Sequence, residues 1–312
     1  MTQILTLTMN PALDISTSVE KVVPTHKLRC TEEKTQPGGG GINISRVIRR
    51  LETASTAIYP SGGFTGQLLA GLLDQEGVHG HSIPIAQETR ECFTVHETSS
   101  GKDFRFLLPG PALSVAEQQA CANAVEQLSP SARFVVASGS LPPGVADDFY
   151  ARLARRAKEK GHRFVLDTSG AALRHALEAG VYLFKPSLRE LEELLGQTLG
   201  SQAEWHEAAR EIVARGQAKI VALSLGEDGA MLVSADQSYR AQAVPVKVVS
   251  TVGAGDNFVA GILWGLCHNH SLEHAFGYGM ASAAAAVMNA DSNLCEPADL
   301  HKLYEKVRIT QL

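Results

Sequence analysis

Short apolar runs alternate along most of the chain with stretches in which apolar residues recur every three or four positions. The runs at 134–137, 164–166 and 220–223 contain no polar residue, the pattern of strands buried on both faces. Between them, 147–160 and 203–215 carry the helical period and predict amphipathic helices. The stretch 272–288 is small and alanine-rich, which predicts a helix packed closely against its neighbours. Strands and helices taking turns in this way predict an α/β protein built from βαβ units, a mostly parallel central sheet flanked by helices. No repeat of solenoid length interrupts the pattern, and 1–312 is expected to be a single domain.

Two regions depart from that rhythm. Around 15–36 and 91–107 polar and apolar residues tend to alternate, the second region about the turn Ser99-Ser100-Gly101-Lys102, and antiparallel strands are expected in a small sheet beside the main body. One face of it would carry Phe93, Val95, Phe104 and Phe106. Such a face needs covering, so the sheet is expected to be both a lid over a site and the contact between two copies of the chain.

Composition narrows the picture. With 44% hydrophobic and 20% charged residues the chain is an ordinary globular one, and a net charge of -5 gives it no overall attraction to nucleic acid or an acidic membrane. Any anionic ligand has to be held by local groups. The five cysteines, Cys30, Cys92, Cys121, Cys267 and Cys295, are odd in number and contain no C-x-x-C pair, which argues against a disulfide framework or zinc site. The first residues lack the pattern of a secretory signal and no run is apolar enough to span a membrane, so a reducing cytoplasm is expected.

The strongest chemical signal is Gly253-Ala254-Gly255-Asp256, between a strand-like run at 246–249 and an apolar helix-like run at 258–266. A helix N-terminus offers unpaired N–H groups and partial positive charge, and glycine lets a phosphate approach it. An aspartate there could take a hydroxyl proton as the oxygen attacks a γ-phosphoryl group, although capping the helix is the commoner use of aspartate. The second signal is Pro37-Gly38-Gly39-Gly40-Gly41-Ile42-Asn43, opening an amphipathic helix. Four glycines cost folding entropy, which implies close approach by a ligand or another backbone unless the run is a hinge. Asn43 offers both a donor and an acceptor to a sugar hydroxyl. Neither a dinucleotide fingerprint nor a P-loop is present. Asn10-Pro11-Ala12-Leu13-Asp14 and Ser138-Gly139-Ser140-Leu141-Pro142-Pro143-Gly144 each follow a strand, at the end where α/β proteins bind ligands, though either could be a plain turn.

These motifs, with Lys185-Pro186 and Ser224-Leu225-Gly226, stand in the order and spacing of the ribokinase-like carbohydrate kinases, which the chain resembles over nearly its whole length. The resemblance implies a ribokinase-like fold, ATP and Mg²⁺, and phosphorylation of a sugar hydroxyl. It implies that Asp256 is the catalytic base, with Gly253, Ala254 and Gly255 as the anion hole. Asp14, Gly39, Asn43 and Ser140 fall on sugar-contacting positions. Lys185, Ser187, Ser224, Gly226, Gly229, Met280 and Ala284 fall on the nucleotide side, and Glu190 on the position that organises Mg²⁺ through water. The family's Asn-x-x-Glu is here Ser187-Leu188-Arg189-Glu190, and a hydroxyl replacing an amide is expected to alter the response to Mg²⁺. Relatives also hold a monovalent cation, matched here by Ser250, Val252, Ala286, Asn289, Asp291 and Asn293, so K⁺ is a further expectation.

The pattern is nearest the branch that phosphorylates fructose 6-phosphate, with the branches acting on fructose 1-phosphate and tagatose 6-phosphate close to it. Those two carry a lysine inside the glycine run where this chain has Gly40, but they share its Asn10-Pro11. An acceptor phosphate would need fixed positive charge, and Lys27, Arg90 and Arg105, in or beside the lid segments, are the expected sources. Two other readings stand: a catalytically silent sugar-phosphate-binding regulator on the same fold, and a kinase of an unphosphorylated sugar or nucleoside.

Overall fold

The computed structural model describes residues 3–289 and 294–312, Glu32 by its backbone alone. In chain order the strands are β1 (Ile4–Leu7), β2 (Ala12–Val19), β3 (Thr31–Gly38), β4 (Ser55–Ser61), β5 (Gly80–Pro84), β6 (Arg90–Glu97), β7 (Lys102–Leu107), β8 (Phe134–Ser138), β9 (Arg163–Asp167), β10 (Val181–Phe184), β11 (Ala218–Ser224), β12 (Ala230–Ser234), β13 (Ser238–Ala241) and β14 (Ile309–Gln311). The helices are α1 (Gly40–Arg50), α2 (Gly63–Gln75), α3 (Val115–Leu128), α4 (Phe149–Glu159), α5 (Gly170–Ala179), α6 (Leu188–Leu195), α7 (Gln202–Ala214), α8 (Ala254–Cys267), α9 (Leu272–Met288) and α10 (Pro297–Tyr304).

Ten strands form one sheet in the order β14-β13-β12-β11-β10-β9-β8-β1-β4-β5. From β11 to β5 all neighbours are parallel, and β12, β13 and β14 extend the sheet antiparallel. This is the ribokinase-like α/β architecture. Along β1 and β8 successive residues bury to opposite faces. Leu5, Leu7, Val135 and Ala137 pack in a core with Tyr150, Leu153, Leu173 and Ile212 of α4, α5 and α7. Ile4, Phe134 and Val136 pack in a second core with Ile44 and Val47 of α1, and with Phe258 and Phe276 of α8 and α9. Both faces are covered, which is why these strands are almost wholly apolar. The alanine-rich helix runs where its composition predicts, and a Cβ at Gly261 would lie 2.4 Å from the Tyr278 carbonyl, so α8 and α9 pack almost backbone to backbone.

From β1 the chain moves outward to β4 and β5, then returns to the other side of β1 with β8. The crevice beyond the carboxyl ends of β1 and β8 is therefore the sheet's topological switch point, where ligands bind in such folds. Register keeps the neighbouring strand ends level: Leu7 pairs with Ala137, and Ser138 with Asp167.

The small sheet has the order β3-β2-β6-β7. It consists of two antiparallel pairs, β2–β3 and β6–β7, joined by a parallel β2–β6 seam. Its register sorts the side chains onto two faces. Ile15, Phe93 and Phe106 form one cross-strand row and Thr17, Val95 and Phe104 the next, all on one face, with Phe93 37% and Phe106 53% exposed. The other face carries the rows Asp14, Cys92, Leu107 and Ser16, Thr94, Arg105. One expected strand is not formed. Residues 246–249 make no ladder: Pro245 lacks a donor, and the segment crosses the end of α9, with the Val249 N–H donating to the Val287 carbonyl at 2.7 Å.

Candidate active site

At the switch point the end of β1 turns into the glycine run that opens α1. The Thr8 hydroxyl accepts from the Ile42 N–H at 2.9 Å and so caps α1 from the neighbouring strand end. The glycines are required by the protein's own side chains: a Cβ at Gly38 would meet an Asp14 carboxylate oxygen at 2.2 Å, and one at Gly40 would meet Ser138 Oγ at 2.1 Å and Asp256 Oδ1 at 3.0 Å. Asp14, Ser138 and Asp256 thus converge on 38–40, with Gly39 as the N-cap of α1.

Asp256 lies in the first turn of α8, whose N-cap is Gly253 with φ 75 and ψ -4. No side chain caps this end, so the aspartate is not spent on capping, and the N–H groups of the first turn remain the positive pole of the helix. Instead Asp256 Oδ2 accepts from Asn43 Nδ2 at 2.9 Å. A Cβ at Gly255 would stand 3.3 Å from Lys185 Nζ, which pairs with Asp167 at 3.1 Å. A carboxylate, an uncapped helix terminus and a buried ammonium therefore adjoin. The first can accept a proton beside an anion site made by the other two.

Burial, and then the neighbouring Asp167 carboxylate, push the Asp256 carboxyl up to about 7, against the opposing pull of the Asn43 bond and Lys185, while Asp14 adds to the rise. Burial alone would lower the Lys185 ammonium, but Asp167, Glu190 and Asp256 outweigh it and hold it charged. Burial also raises Asp14, opposed by Arg105, Arg90 and Arg46.

Other candidate residues lie on or beside the small sheet. Arg105 projects from the polar face of β7, while Arg90 is tied to backbone carbonyls, donating to Leu108 at 2.6 Å and Asn10 at 2.8 Å. Ser140 accepts from Asn10 Nδ2 at 3.2 Å. Lys27 lies in the exposed loop between β2 and β3.

On the other flank, Ser187 and Glu190 form a capping box at the start of α6: Glu190 accepts from the Ser187 N–H at 2.7 Å, and Ser187 Oγ from the Glu190 N–H at 3.3 Å. Ser187 bridges to Ser224 at the end of β11. Gly226 opens a 3-10 turn closed by Gly229, where a Cβ would lie 2.2 Å from the Ala241 carbonyl. Met280 and Ala284 are buried on α9, where the exposed Val248 and Val249 pass. Ser250 Oγ accepts from the Val252 N–H at 3.2 Å, and the Ala286 carbonyl from the Asn289 N–H at 3.1 Å. Asp291 and Asn293 lie outside the described residues.

Two members of this constellation are absent from the sequence-level set. Asp167 ends β9 and pairs with Lys185, and its only sequence signal is an acidic residue terminating an apolar strand run. Arg46, on α1, donates to Asn43 Oδ1 at 3.3 Å, and nothing in the sequence distinguishes it from a surface arginine.

An α/β sheet with a charged cleft at its switch point, an uncapped helix terminus and a half-buried aspartate defines the class of phosphoryl-transfer enzymes on this fold. The chain belongs to the pfkB family of carbohydrate kinases, whose model matches residues 7–299. It is 47% identical over 303 residues to ATP-dependent 6-phosphofructokinase isozyme 2 of Mycobacterium tuberculosis, covering 97% of this chain and 89% of that one. To the isozyme 2 of Escherichia coli K12 it is 40% identical over 305 residues, covering 97% and 98%. The crystal structure of the Escherichia coli phosphofructokinase-2 in complex with fructose-6-phosphate superposes with a TM-score of 0.92 at 39% identity, covering 98% of this chain and 99% of that chain.

Proposed function

We propose that this chain transfers the γ-phosphoryl group of ATP to the 1-hydroxyl of fructose 6-phosphate, giving fructose 1,6-bisphosphate and ADP. The observation that carries the reading is the placement of Asp256: it meets Gly40 of the glycine run and the Asn43 amide, while Gly255 at its own helix terminus lies against Lys185. As the 1-hydroxyl oxygen bonds to phosphorus and the bond to the ADP oxygen breaks, Asp256 takes the hydroxyl proton. The N–H groups of Gly253, Ala254 and Gly255 at the start of α8, with Lys185, stabilise the charge on the transferring group. Relatives bearing the name 6-phosphofructokinase support the choice of acceptor.

Asp14, Gly39, Asn43 and Ser140 hold the sugar. Arg105, Arg90 and Lys27 meet its phosphate, with Arg90 also fixing the loops it is bonded to. Ser224, Gly226 and Gly229 underlie the nucleotide, with Met280 and Ala284 at its adenine. Among the described residues no three acidic, histidine or cysteine side chains are placed to hold a metal ion. The Mg²⁺ would be carried by the nucleotide phosphates and waters, with Glu190 and Ser187 ordering the water shell. The carbonyls and hydroxyl around Ser250, Val252, Ala286 and Asn289 fit a K⁺ ion. The small sheet acts as a lid on a single kinase domain, and its apolar face pairs two chains into a cytoplasmic dimer. Among the described residues no helix is long and apolar enough to cross a membrane.

The test is product identity. Wild-type protein with ATP, Mg²⁺ and fructose 6-phosphate should generate a second sugar-phosphate resonance in ³¹P spectra together with stoichiometric ADP. ATP hydrolysis without a new phosphate ester would defeat the reading.

A further inference from the structure

We propose that Arg46 is a positioning residue that sets the orientation of the Asn43 amide and, through it, the state of the Asp256 carboxylate. Arg46 is almost fully buried, its side chain 3% exposed, although it lies on α1 at a position that contacts no substrate in the reading above. Its guanidinium is held in a fixed plane by a two-pronged pair with Glu76 beyond the end of α2, at 2.7 Å from Nε and 2.6 Å from Nη2. The remaining prong, Nη1, donates to the Pro37 carbonyl at the entry to the glycine run at 3.0 Å and to Asn43 Oδ1 at 3.3 Å.

That last bond decides which way the amide faces. A guanidinium can only donate, so the amide oxygen must turn to Arg46 and the NH₂ group to Asp256, which it reaches at 2.9 Å. In this orientation Asn43 bonds to the ionised carboxylate and favours the form able to accept a proton. Without Arg46 the amide can turn over and present its oxygen, which bonds only to a protonated carboxyl. The other groups around Asp256 are Asp167 at the end of β9, Lys185 after β10 and Asp14 on β2, none of which reports the amide's orientation. An ion pair that merely joined α1 to α2 would have no need of the third prong.

The inference rests on the reading of Asp256 as the base, but its test does not need turnover. The variant Arg46→Met with Glu76→Met replaces the buried pair by apolar side chains without changing net charge, an exchange that folds often tolerate. The carboxyl of Asp256 is followed by ¹³C NMR across pH in the free protein, assigned by its loss in Asp256→Asn. Its titration midpoint should rise by about one unit, the scale of a lost bond to an ionised carboxylate. Arg46→Lys, whose ammonium can reach Glu76 but cannot also span Pro37 and Asn43, should move it the same way by less. In kinetics the acidic limb of kcat should move with the midpoint while KM for ATP, on the side that Asn43 does not touch, stays within about two-fold. In an Asn43→Ala background the Arg46 and Glu76 changes should shift the midpoint no further. An unmoved midpoint in whichever of the two Arg46 variants folds, or a shift that persists at full size without Asn43, overturns the proposal. Failure of the kinase reading would show as absence of turnover in the wild type and would leave the titration result standing.

Discussion

The centre around Asp256 and the small sheet solve opposite problems. At the centre polar side chains are locked to one another: Asp256 to Asn43, Asn43 to Arg46, Arg46 to Glu76, and Lys185 to Asp167. Apart from Glu76, at the end of α2, these side chains come from α1, α8 and the ends of β9 and β10, which pack against the two cores. The small sheet, in contrast, leaves Phe93 and Phe106 open on one face, and its Arg105 projects from an edge strand. A network locked to about hydrogen-bond precision suits proton and phosphoryl transfer, which lose rate steeply with displacement. A sheet with one apolar face left open suits the proposed part of a lid, which would have to admit the sugar and then cover it.

The largest effect that would break this division is at Asp256. Asp256→Asn should keep the fold and ATP binding while lowering kcat by about 10² or more, since the amide cannot accept the proton. Because the carboxyl is held above its ordinary value, ionising it costs the folded state. That cost is absent in acid and fully present above about pH 7, where the folded carboxyl has ionised. Asp256→Asn should accordingly raise Tm at pH 8 and leave it unchanged at about pH 3, below the ordinary carboxyl value. The acidic limb of kcat/KM in the wild type should lie near pH 7, and a limb near pH 4 would remove the account of burial.

Next in size is the pair of arginines. Arg105→Ala should raise KM for the sugar phosphate by about ten-fold with kcat and Tm little changed, the cost of one charge-assisted contact. Arg90→Ala should raise KM and also lower Tm, because its guanidinium holds the carbonyls of Asn10 and Leu108. Equal Tm values for the two would show that Arg90 is no staple. Phe93→Ser with Phe104→Ser should shift the protein toward monomer in sedimentation and reduce activity several-fold, an apolar face of this size being worth covering; a fully active monomer would separate the sheet's two proposed roles. The smallest change is expected from Ser187→Asn, which should shift the Mg²⁺ dependence by about two-fold while keeping the N-cap, since asparagine caps as well as serine.

The contrast between the regions also marks what the sequence makes visible. The parallel strands and the Leu272–Met288 helix are legible because burial on both faces and close helix packing leave composition and period no alternative. The apolar face of the small sheet is legible from its alternation, but the β2–β6 seam is not, because it pairs segments over seventy residues apart and leaves no local mark. The run at 246–249 has strand composition without a ladder to join. In the site, glycine and aspartate motifs announce themselves, yet what crowds the glycines is Asp14 and Ser138, brought there by tertiary packing. Asp167 and Arg46 escape for the same reason: each is defined by a partner distant in the chain.

The central claim, that the locked centre acts on a phosphorylated hexose selected at the small sheet, is tested most directly by kcat/KM for the wild type with fructose 6-phosphate, fructose 1-phosphate, tagatose 6-phosphate and fructose. The account predicts the highest value for fructose 6-phosphate and the lowest for unphosphorylated fructose. A value for fructose 1-phosphate, tagatose 6-phosphate or fructose equal to or above that for fructose 6-phosphate would contradict it.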